Sequence, residues 1–105
     1  MKTITRKEEL VLLSILNLGD RAYLIAIQEI LVQATGRDVS LTSVHLPLSR
    51  LEKNGLIKSQ LGDATAVRGG RRKKIYRLTK EGHEALHAYK RVSDDLWNGL
   101  IDHSI

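Results

Sequence analysis

The sequence contains no cysteine and no phenylalanine, and it has only one proline and one tryptophan in 105 residues. Without cysteine the chain cannot form a disulfide framework, a thiolate nucleophile or a cysteine-ligated metal site, and its composition suits a reducing cytoplasm. Aromatic residues make up 4% of the chain and hydrophobic residues 42%. The core must therefore be mainly aliphatic, which favours packed helices over an aromatic-rich sandwich, and the length allows one domain.

The sequence also lacks a long hydrophobic run. Its most apolar stretch, residues 10–18, is shorter than the roughly 20 residues needed to cross a bilayer. Basic residues precede this stretch as in a signal peptide, but Glu8 and Glu9 interrupt the pattern and no small-x-small cleavage site follows. We therefore expect a soluble, cytoplasmic protein without a membrane partner.

Positive charge is concentrated in one short segment of the chain. Six cations and no acid fall within positions 68–77, and without these six the formal net charge of +5 would be −1. A local cationic patch of this kind is what a protein needs to neutralise the phosphates of a polyanion. Gly69 and Gly70 mark a loop tip, and the alternation after them predicts a strand, so the cations are expected to project from a β-hairpin.

The first half of the chain is predicted to form three helices. The first begins at a cap on Thr5 and ends near Gly19. The second is capped by Asp20 and stopped by Gly36. The third is closed by Asn54-Gly55, and its expected core residues, at spacings of three and four, are Leu41, Val44, Leu48 and Leu51.

The hydrophobic period changes after the third helix. Residues 56–61 and 72–78 are predicted to form a two-stranded hairpin, and Thr79 is expected to cap a last helix that runs nearly to the C-terminus. The predicted fold class is mainly α with a small β-hairpin, in the order of a winged helix-turn-helix with an added C-terminal helix. Residues 1–79 would form the winged-helix domain and residues 80–105 a dimerisation helix, together one structural unit.

In a winged helix the third helix enters the major groove of DNA, and the hairpin reaches along the backbone or into the minor groove. Packing the apolar residues of that helix into the core turns a polar and cationic face outward, although any surface helix shows a polar face. Arginine and lysine can bond guanine edges or phosphates, and an exposed leucine can touch a thymine methyl. The candidate DNA-binding residues are Thr42, Ser43, His45, Leu46, Ser49, Arg50 and Lys53 in the helix, and Arg68, Arg71, Arg72, Lys73 and Lys74 in the wing.

Two groups of motifs occur together in one known family. The first group is Ser40-Leu41-Thr42-Ser43-Val44-His45 with Leu48-x-Arg50-Leu51-Glu52-Lys53-x-Gly55-Leu56. The second is Arg68-Gly69-Gly70-Arg71-Arg72-Lys73-Lys74 with Tyr76-x-Leu78-Thr79-x-x-Gly82-x-x-Ala85-Leu86. Over roughly residues 8–90 the chain resembles the PadR family of bacterial transcriptional regulators.

The resemblance implies a homodimer that binds double-stranded DNA at a pseudo-palindromic promoter site, usually as a repressor and sometimes under the control of a small planar, apolar or phenolic effector. We expect no cofactor. Many relatives have a tyrosine where His45 stands and a proline one position before Pro47. Because Pro47 has no amide hydrogen for the carbonyl of Ser43, we expect the third helix to begin near Ser43 or to bend in its first turn.

The last helix carries several apolar residues. The rest of the domain has little free surface against which these residues could pack. Exposed apolar stripes of this size usually mark an interface, and the resemblance implies that this helix pairs subunits together with the first helix. The alternative is that it folds back onto its own first helix. Trp97 is a candidate effector contact as well as an interface anchor. The candidate dimer-interface residues are Leu96, Trp97, Leu100 and Ile101.

One motif in the last helix points to a different chemistry. The segment from His83 to His87 matches H-E-x-x-H, in which two histidines one turn apart bind zinc. A catalytic zinc also needs a third protein ligand and a substrate cleft, which this chain is too small to carry. We interpret the histidines as solvent-exposed residues beside a core-facing Leu86, with adventitious metal binding left open, and predict no catalytic or metal site.

Three hypotheses of function remain at this stage. The first is a sequence-specific DNA-binding transcriptional regulator, which the cationic hairpin after a polar third helix favours. The second is a winged-helix module that binds protein or RNA without reading DNA sequence. The third is a small metalloenzyme, and it depends on the histidine motif alone.

Overall fold

The helices and strands follow the order expected from the sequence. The structure is a computed structural model that describes residues 3–62 and 73–103, with side chains through residue 99. Its elements are α1 (Arg6–Leu18), a 3₁₀ turn (Gly19–Arg21), α2 (Leu24–Thr35), α3 (Leu41–Lys53), β1 (Ile57–Leu61), β2 (Lys74–Leu78) and α4 (Lys80–His103). The predicted fold class, mainly helical with a two-stranded antiparallel hairpin, is confirmed.

Helix α1 begins at a capping box. The Glu8 backbone nitrogen donates to Thr5 Oγ1 over 3.1 Å, and the Thr5 backbone nitrogen donates to Glu8 Oε1 over 2.8 Å. This reciprocal pair satisfies two amide groups that have no partner inside the helix. The prediction that Thr5 caps this helix is therefore confirmed.

Helix α2 begins later than the sequence suggested, and Asp20 does not cap it. Asp20 lies in the 3₁₀ turn, where its carboxylate accepts a hydrogen bond from Arg77 of β2 over 2.5 Å. The helix instead follows Tyr23, whose side chain makes no capping hydrogen bond with any described residue. Its end at Gly36, in the left-handed conformation with a φ of 68°, is as predicted.

Helix α3 begins at Leu41, two residues before Ser43, near which the first of the two alternatives drawn from Pro47 placed its start. The second alternative, a bend in the first turn, stays a prediction. Ser40 caps it by accepting a hydrogen bond from the Ser43 amide over 3.1 Å. Pro47 is buried inside the helix, on the side that faces the core. Leu41 was predicted to lie in the core but is 41% exposed, because it is the first residue of the helix and lies at the edge of the core.

One end of the hairpin packs against the core, and the other end is exposed to solvent. Strand β1 pairs with β2 in the register Ile57↔Leu78, Ser59↔Tyr76 and Leu61↔Lys74, which places these six side chains on one face. Ile57 and Tyr76 are buried, whereas Leu61 is 57% exposed and Lys74 is exposed. The strands therefore extend past the core toward the segment that connects them.

A single aliphatic core joins all these elements. The most deeply buried side chains come from the three N-terminal helices and β1, while Tyr76, Ala85 and Leu86 close the core from the hairpin and from α4. The Tyr76 amide also donates to the Ala22 carbonyl over 3.0 Å, which ties β2 to the segment before α2. The largest side chains that are almost completely buried are Val11, Leu12, Ile27, Val44, Leu48, Leu51 and Ile57.

The beginning of α4 is locked against the turn that follows α3. Thr79 caps α4 by accepting from the Gly82 amide over 3.1 Å, and its hydroxyl donates to the Gly55 carbonyl over 2.7 Å. Its amide donates to the Leu56 carbonyl over 3.0 Å. A Cβ atom on Gly82 would lie 2.0 Å from the Leu56 carbonyl oxygen, so only glycine allows this close approach.

The far end of α4 extends away from the core. The radius of gyration is 15.8 Å, compared with about 13 Å for a compact chain of this length. Leu96 and Trp97 are 70% and 62% exposed, so the alternative in which this helix folds back onto its own α1 is wrong for these residues. Within the described residues no helix is both long and apolar enough to span a membrane.

Candidate nucleic-acid interface

A row of exposed side chains follows the outer face of α3. Thr42, Leu46, Ser49 and Lys53 recur at spacings of four, three and four, so they lie in one line along the helix. All four are exposed, opposite the buried residues Val44, Pro47, Leu48 and Leu51. The α3 row therefore presents two hydroxyl groups, a cation and an aliphatic group to solvent, which suits contact with base edges and phosphates.

Arg50 lies on one side of the α3 row and faces α1. Its Nη1 atom is 4.0 Å from Oε2 of Glu8, whose side chain is only 5% exposed. The other carboxylate oxygen of Glu8 accepts the capping hydrogen bond from Thr5. Because a buried carboxylate needs a compensating charge, Arg50 supports the fold as well as contributing a half-exposed cation to the surface.

Two further side chains of α3 are engaged in local hydrogen bonds. The Ser43 hydroxyl donates to the Ser40 carbonyl over 2.8 Å, so its proton is already used within the capping turn. Glu52 accepts a hydrogen bond from the Ser59 hydroxyl over 2.6 Å. Glu52 thereby connects the C-terminal turn of α3 to β1, and it fixes the hairpin relative to the α3 row.

The wing contributes two described cations, and they line the same cavity as His45 of α3. Lys73 and Lys74 are both exposed, and the Lys73 ammonium lies 5.0 Å from the centre of the Tyr23 ring. A cation over an aromatic face at an exposed site contributes about 0.5–1 kcal/mol. The other predicted wing residues, Arg68, Arg71 and Arg72, lie outside the described residues.

Arg77 belongs to the same basic segment but has a structural role. Its guanidinium is paired with Asp20 at 2.5 Å, and it lies opposite Lys58 in the hairpin register. Like charges directly opposite one another destabilise a strand pair, and Asp20 offsets that repulsion. Among the described cations of the basic segment, Lys73 and Lys74 are exposed on the wing, whereas Arg77 pairs β2 with the 3₁₀ turn.

His45 lies on the other side of the α3 row, where it helps to line a cavity of about 350 Å³. The remaining lining comes from the start of α2 and from the wing strand, namely Tyr23, Leu24, Ile25, Lys73, Lys74 and Tyr76. Burial raises the pKa of the Tyr76 phenol above its ordinary value, and the Glu52 carboxylate raises it further. The phenol is therefore neutral at physiological pH.

Sequence reasoning missed the cavity as a site. Its residues come from α2, α3 and β2 and from Tyr23 and Lys73, which directly precede α2 and β2; these segments are far apart in the chain, and no motif joins them. No sequence signal marks the cavity, because the 54% exposure of Ile25, two residues after Tyr23, appears only in the folded structure.

Exposed apolar side chains also occur on α4 and on α1. Val92, Leu96 and Trp97 of α4 are all at least 60% exposed, and Leu13 and Leu16 of α1 are 39% and 44% exposed. Helices α1 and α4 contact one another. The backbone of Leu100 and Ile101 belongs to α4, but their side chains lie outside the described residues.

The histidine motif lies at the start of α4 in the orientation expected from the sequence. His83 and His87 are exposed, and Leu86 between them is buried. Within residues 3–62 and 73–99, no three histidine, aspartate or glutamate side chains are grouped closely enough to hold a metal ion. The described part of the chain thus offers the pair no third ligand.

The chain is similar to known proteins in both sequence and fold. The model of the Transcriptional regulator PadR-like family matches residues 12–88. A transcriptional regulator from Clostridium thermocellum is 26% identical, with a TM-score of 0.70 over 95% of this chain and 96% of that chain. A PadR family transcription regulator from Clostridium difficile is 29% identical, with a TM-score of 0.67 over 90% of this chain and 95% of that chain.

A third similar structure, a PadR family transcriptional regulator from Eggerthella lenta, is 26% identical, with a TM-score of 0.69 over 92% of this chain and 82% of that chain. No curated protein matches the sequence. The family match covers most of the chain and includes α3, the hairpin and the first turns of α4. The chain therefore belongs to the PadR-like family, and it is a DNA-binding transcriptional regulator rather than an enzyme.

Proposed function

We propose that the protein is a homodimeric repressor that binds a pseudo-palindromic promoter site in the cytoplasm. The observation that carries this proposal is the arrangement of the α3 row beside the wing cations. Thr42, Ser49 and Lys53 can reach base edges and phosphates in a major groove, while Lys73 and Lys74 follow the backbone. The two elements are held together by the Glu52–Ser59 hydrogen bond, so they would meet the duplex as one surface.

The exposed apolar surface of α4 and α1 supports the dimer. Leu96 and Trp97 expose most of their area although both are large and apolar, and monomeric proteins rarely leave such residues grouped on one helix. A two-fold axis at this surface would pair the two copies of α4 and bury Trp97 as an anchor. Two recognition helices could then occupy half-sites about 34 Å apart.

Trp97 is also the candidate contact for a planar apolar effector. An aromatic side chain near a dimer axis can stack against a flat ligand, and Trp97 is the single tryptophan of the chain. Its fluorescence would therefore report on such a ligand directly. A panel of planar phenolics and cationic dyes should include at least one compound that quenches it, and quenching by none would count against an effector at this position.

The first experiment measures binding to the duplex upstream of the protein's own coding sequence and to a scrambled duplex of equal length, at two salt concentrations. A repressor should prefer its operator by roughly 10³-fold or more, with two subunits per site. Its affinity should fall with salt, with a slope of about −0.9 per neutralised phosphate. Weak binding that is equal on both duplexes would instead favour a protein- or RNA-interaction module.

Two variants separate the role of the α3 row from that of the wing. Ser49→Ala removes a hydroxyl group from the row and should mainly reduce discrimination between operator and scrambled duplex. Lys74→Ala should weaken binding to both duplexes alike and reduce the salt slope by about one phosphate. Lys90→Ala, which removes an exposed cation from α4, is the control. The reverse pattern for Ser49 and Lys74 would contradict the assigned roles.

A further inference from the structure

Leu46 is an apolar side chain in the middle of the otherwise polar α3 row. It is 57% exposed, and its neighbours in the row, one turn away on either side, are Thr42 and Ser49. Within the described part of the chain, Leu46 belongs neither to the core nor to the lining of the cavity beside His45. The packing of the described residues therefore does not account for a leucine at this position.

The opposite face of α3 fixes the direction of Leu46. Val44 and Leu48 are almost completely buried, and Pro47 is buried with them. Because these residues pack into the core, α3 cannot turn about its axis, and Leu46 stays directed toward solvent. A side chain on such a rigid element meets the same position of a partner in every complex.

The polar residues of the α3 row exclude a wholly apolar partner for Leu46. Thr42 and Ser49 carry hydroxyl groups and Lys53 carries a cation, and an apolar surface would bury them without hydrogen bonds at a cost in free energy. The major groove of a duplex supplies hydrogen-bonding base edges and anionic phosphates for these groups. It also presents one kind of apolar group on its base edges, the C5 methyl group of thymine.

We propose that Leu46 reads a thymine in each half-site of the operator through contact with the C5 methyl group. This inference rests on the proposed function and adds a base that the operator must contain. Thymine carries its O4 acceptor next to the methyl group, and the hydroxyl of Thr42 or Ser49, one turn from Leu46, can donate to it. A cytosine would instead place its N4 amino group against the leucine, where burial without an acceptor is unfavourable.

The test replaces thymine by deoxyuridine, which lacks the C5 methyl group and keeps every hydrogen-bonding atom. Each thymine of the operator is replaced in turn, at the matching position of both half-sites, and the Kd of the intact protein is measured. One position should weaken binding about fifteenfold, because the lost burial of one methyl group corresponds to about fourfold in each half-site. Selective binding to the operator that no deoxyuridine weakens would overturn the thymine contact.

Three variants assign the contact to a residue. Leu46→Ala should bind the thymine and deoxyuridine operators with nearly equal affinity, whereas Leu46→Met, which keeps a long apolar side chain, should retain part of the preference. Leu61→Ala is the matched control, because Leu61 is also 57% exposed but lies on β1. It should retain the full preference for thymine. A preference that survives in Leu46→Ala, or that disappears in Leu61→Ala, would overturn the assignment to Leu46.

Unfolding of the variants and failure of the proposed function are recognised separately. Leu46 is mostly exposed, so Leu46→Ala should unfold at the same urea concentration as the wild-type protein, and its lost preference then reflects the missing contact. Equal binding of the wild-type protein to operator and scrambled duplex would refute the proposed function and the thymine contact together. Selective binding that ignores every methyl group would refute the thymine contact alone.

Discussion

The two halves of α4 have opposite relations to the rest of the protein. In the first half, Gly82 lies against the Leu56 carbonyl, and Ala85 and Leu86 are buried in the core. In the second half, Leu96 and Trp97 are mostly exposed, although both side chains are large and apolar. One continuous helix therefore contributes to the fold at its start and leaves an apolar surface uncovered further along.

The difference shows how a small domain can present a rigid interface. The first turns of α4 are fixed by Thr79, which bonds both the Gly55 carbonyl and the Gly82 amide. A helix fixed at one end holds its distal apolar residues at a set distance and angle from α3. The spacing of two recognition helices in the proposed dimer would thus depend on the locked start of α4 as well as on the contacts at Leu96 and Trp97.

The largest difference in the free energy of unfolding is expected when a glycine is replaced by alanine in each half of α4. Gly82→Ala forces a Cβ atom to within 2.0 Å of the Leu56 carbonyl oxygen, and we expect a loss of about 3 kcal/mol or more in the free energy of unfolding. Gly99→Ala meets no described atom within 4 Å, and alanine favours a helix over glycine by up to about 1 kcal/mol. Urea unfolding of both variants measures the difference. Equal effects would mean that α4 does not lie against Leu56.

Leucine truncation tests the same contrast with side chains. Leu86→Ala removes a side chain that is 6% exposed, which should lower the free energy of unfolding by about 2–3 kcal/mol. Leu96→Ala removes one that is 70% exposed and should leave monomer stability nearly unchanged, while raising the dimer Kd by about tenfold. Unfolding at two protein concentrations and sedimentation equilibrium separate these effects. A Leu96→Ala variant with an unaltered dimer would exclude that residue from the interface.

Local signals made much of this architecture predictable. Thr5 and Thr79 as caps, and Gly36 and Asn54-Gly55 as helix ends, depend on hydrogen bonds and dihedral angles within a few residues. Asp20 was misassigned because its partner is Arg77, 57 positions away. The core was likewise predictable from the helical period, except at the first residue of α3, where Leu41 lies at the boundary of the packed region and is 41% exposed.

The candidate site also combines features that the local sequence predicts with contacts that form only on folding. The α3 row could be read from helical period alone, since the buried positions determine which side chains face solvent. The pairing of Arg50 with Glu8 and the cavity beside His45 could not, because each joins elements that are adjacent only after folding. Sequence therefore predicted which residues α3 exposes but not what lies on either side of them.

Loss of a polar contact in α4 should change the free energy of unfolding by less than loss of a packing contact does. Thr79→Ala removes the cap of α4 and the hydrogen bond to the Gly55 carbonyl, and we expect a loss of about 1–2 kcal/mol in the free energy of unfolding. Thr79→Ser, which retains the hydroxyl group, is the matched control and should recover most of that loss. Chemical denaturation gives both values. A Thr79→Ser variant as unstable as Thr79→Ala would show that the methyl group, rather than the cap, is what matters.

The smallest effect is expected for the ion pair in the exposed half. Lys90 Nζ donates to Asp94 Oδ2 over 2.6 Å, and this hydrogen bond, with the attraction between the two charges, raises the pKa of Lys90. Asp94→Asn removes the negative charge, so the Lys90 pKa should fall back toward its ordinary value, as followed by NMR titration of the lysine side chain. Both side chains are more than half exposed, and solvent screening leaves such pairs little influence on folding. The free energy of unfolding at neutral pH should therefore be unaltered. A measurable loss would mean that the distal half of α4 is more closely packed in solution than its exposure in the monomer indicates. Burial of this ion pair at a dimer interface would produce such a loss.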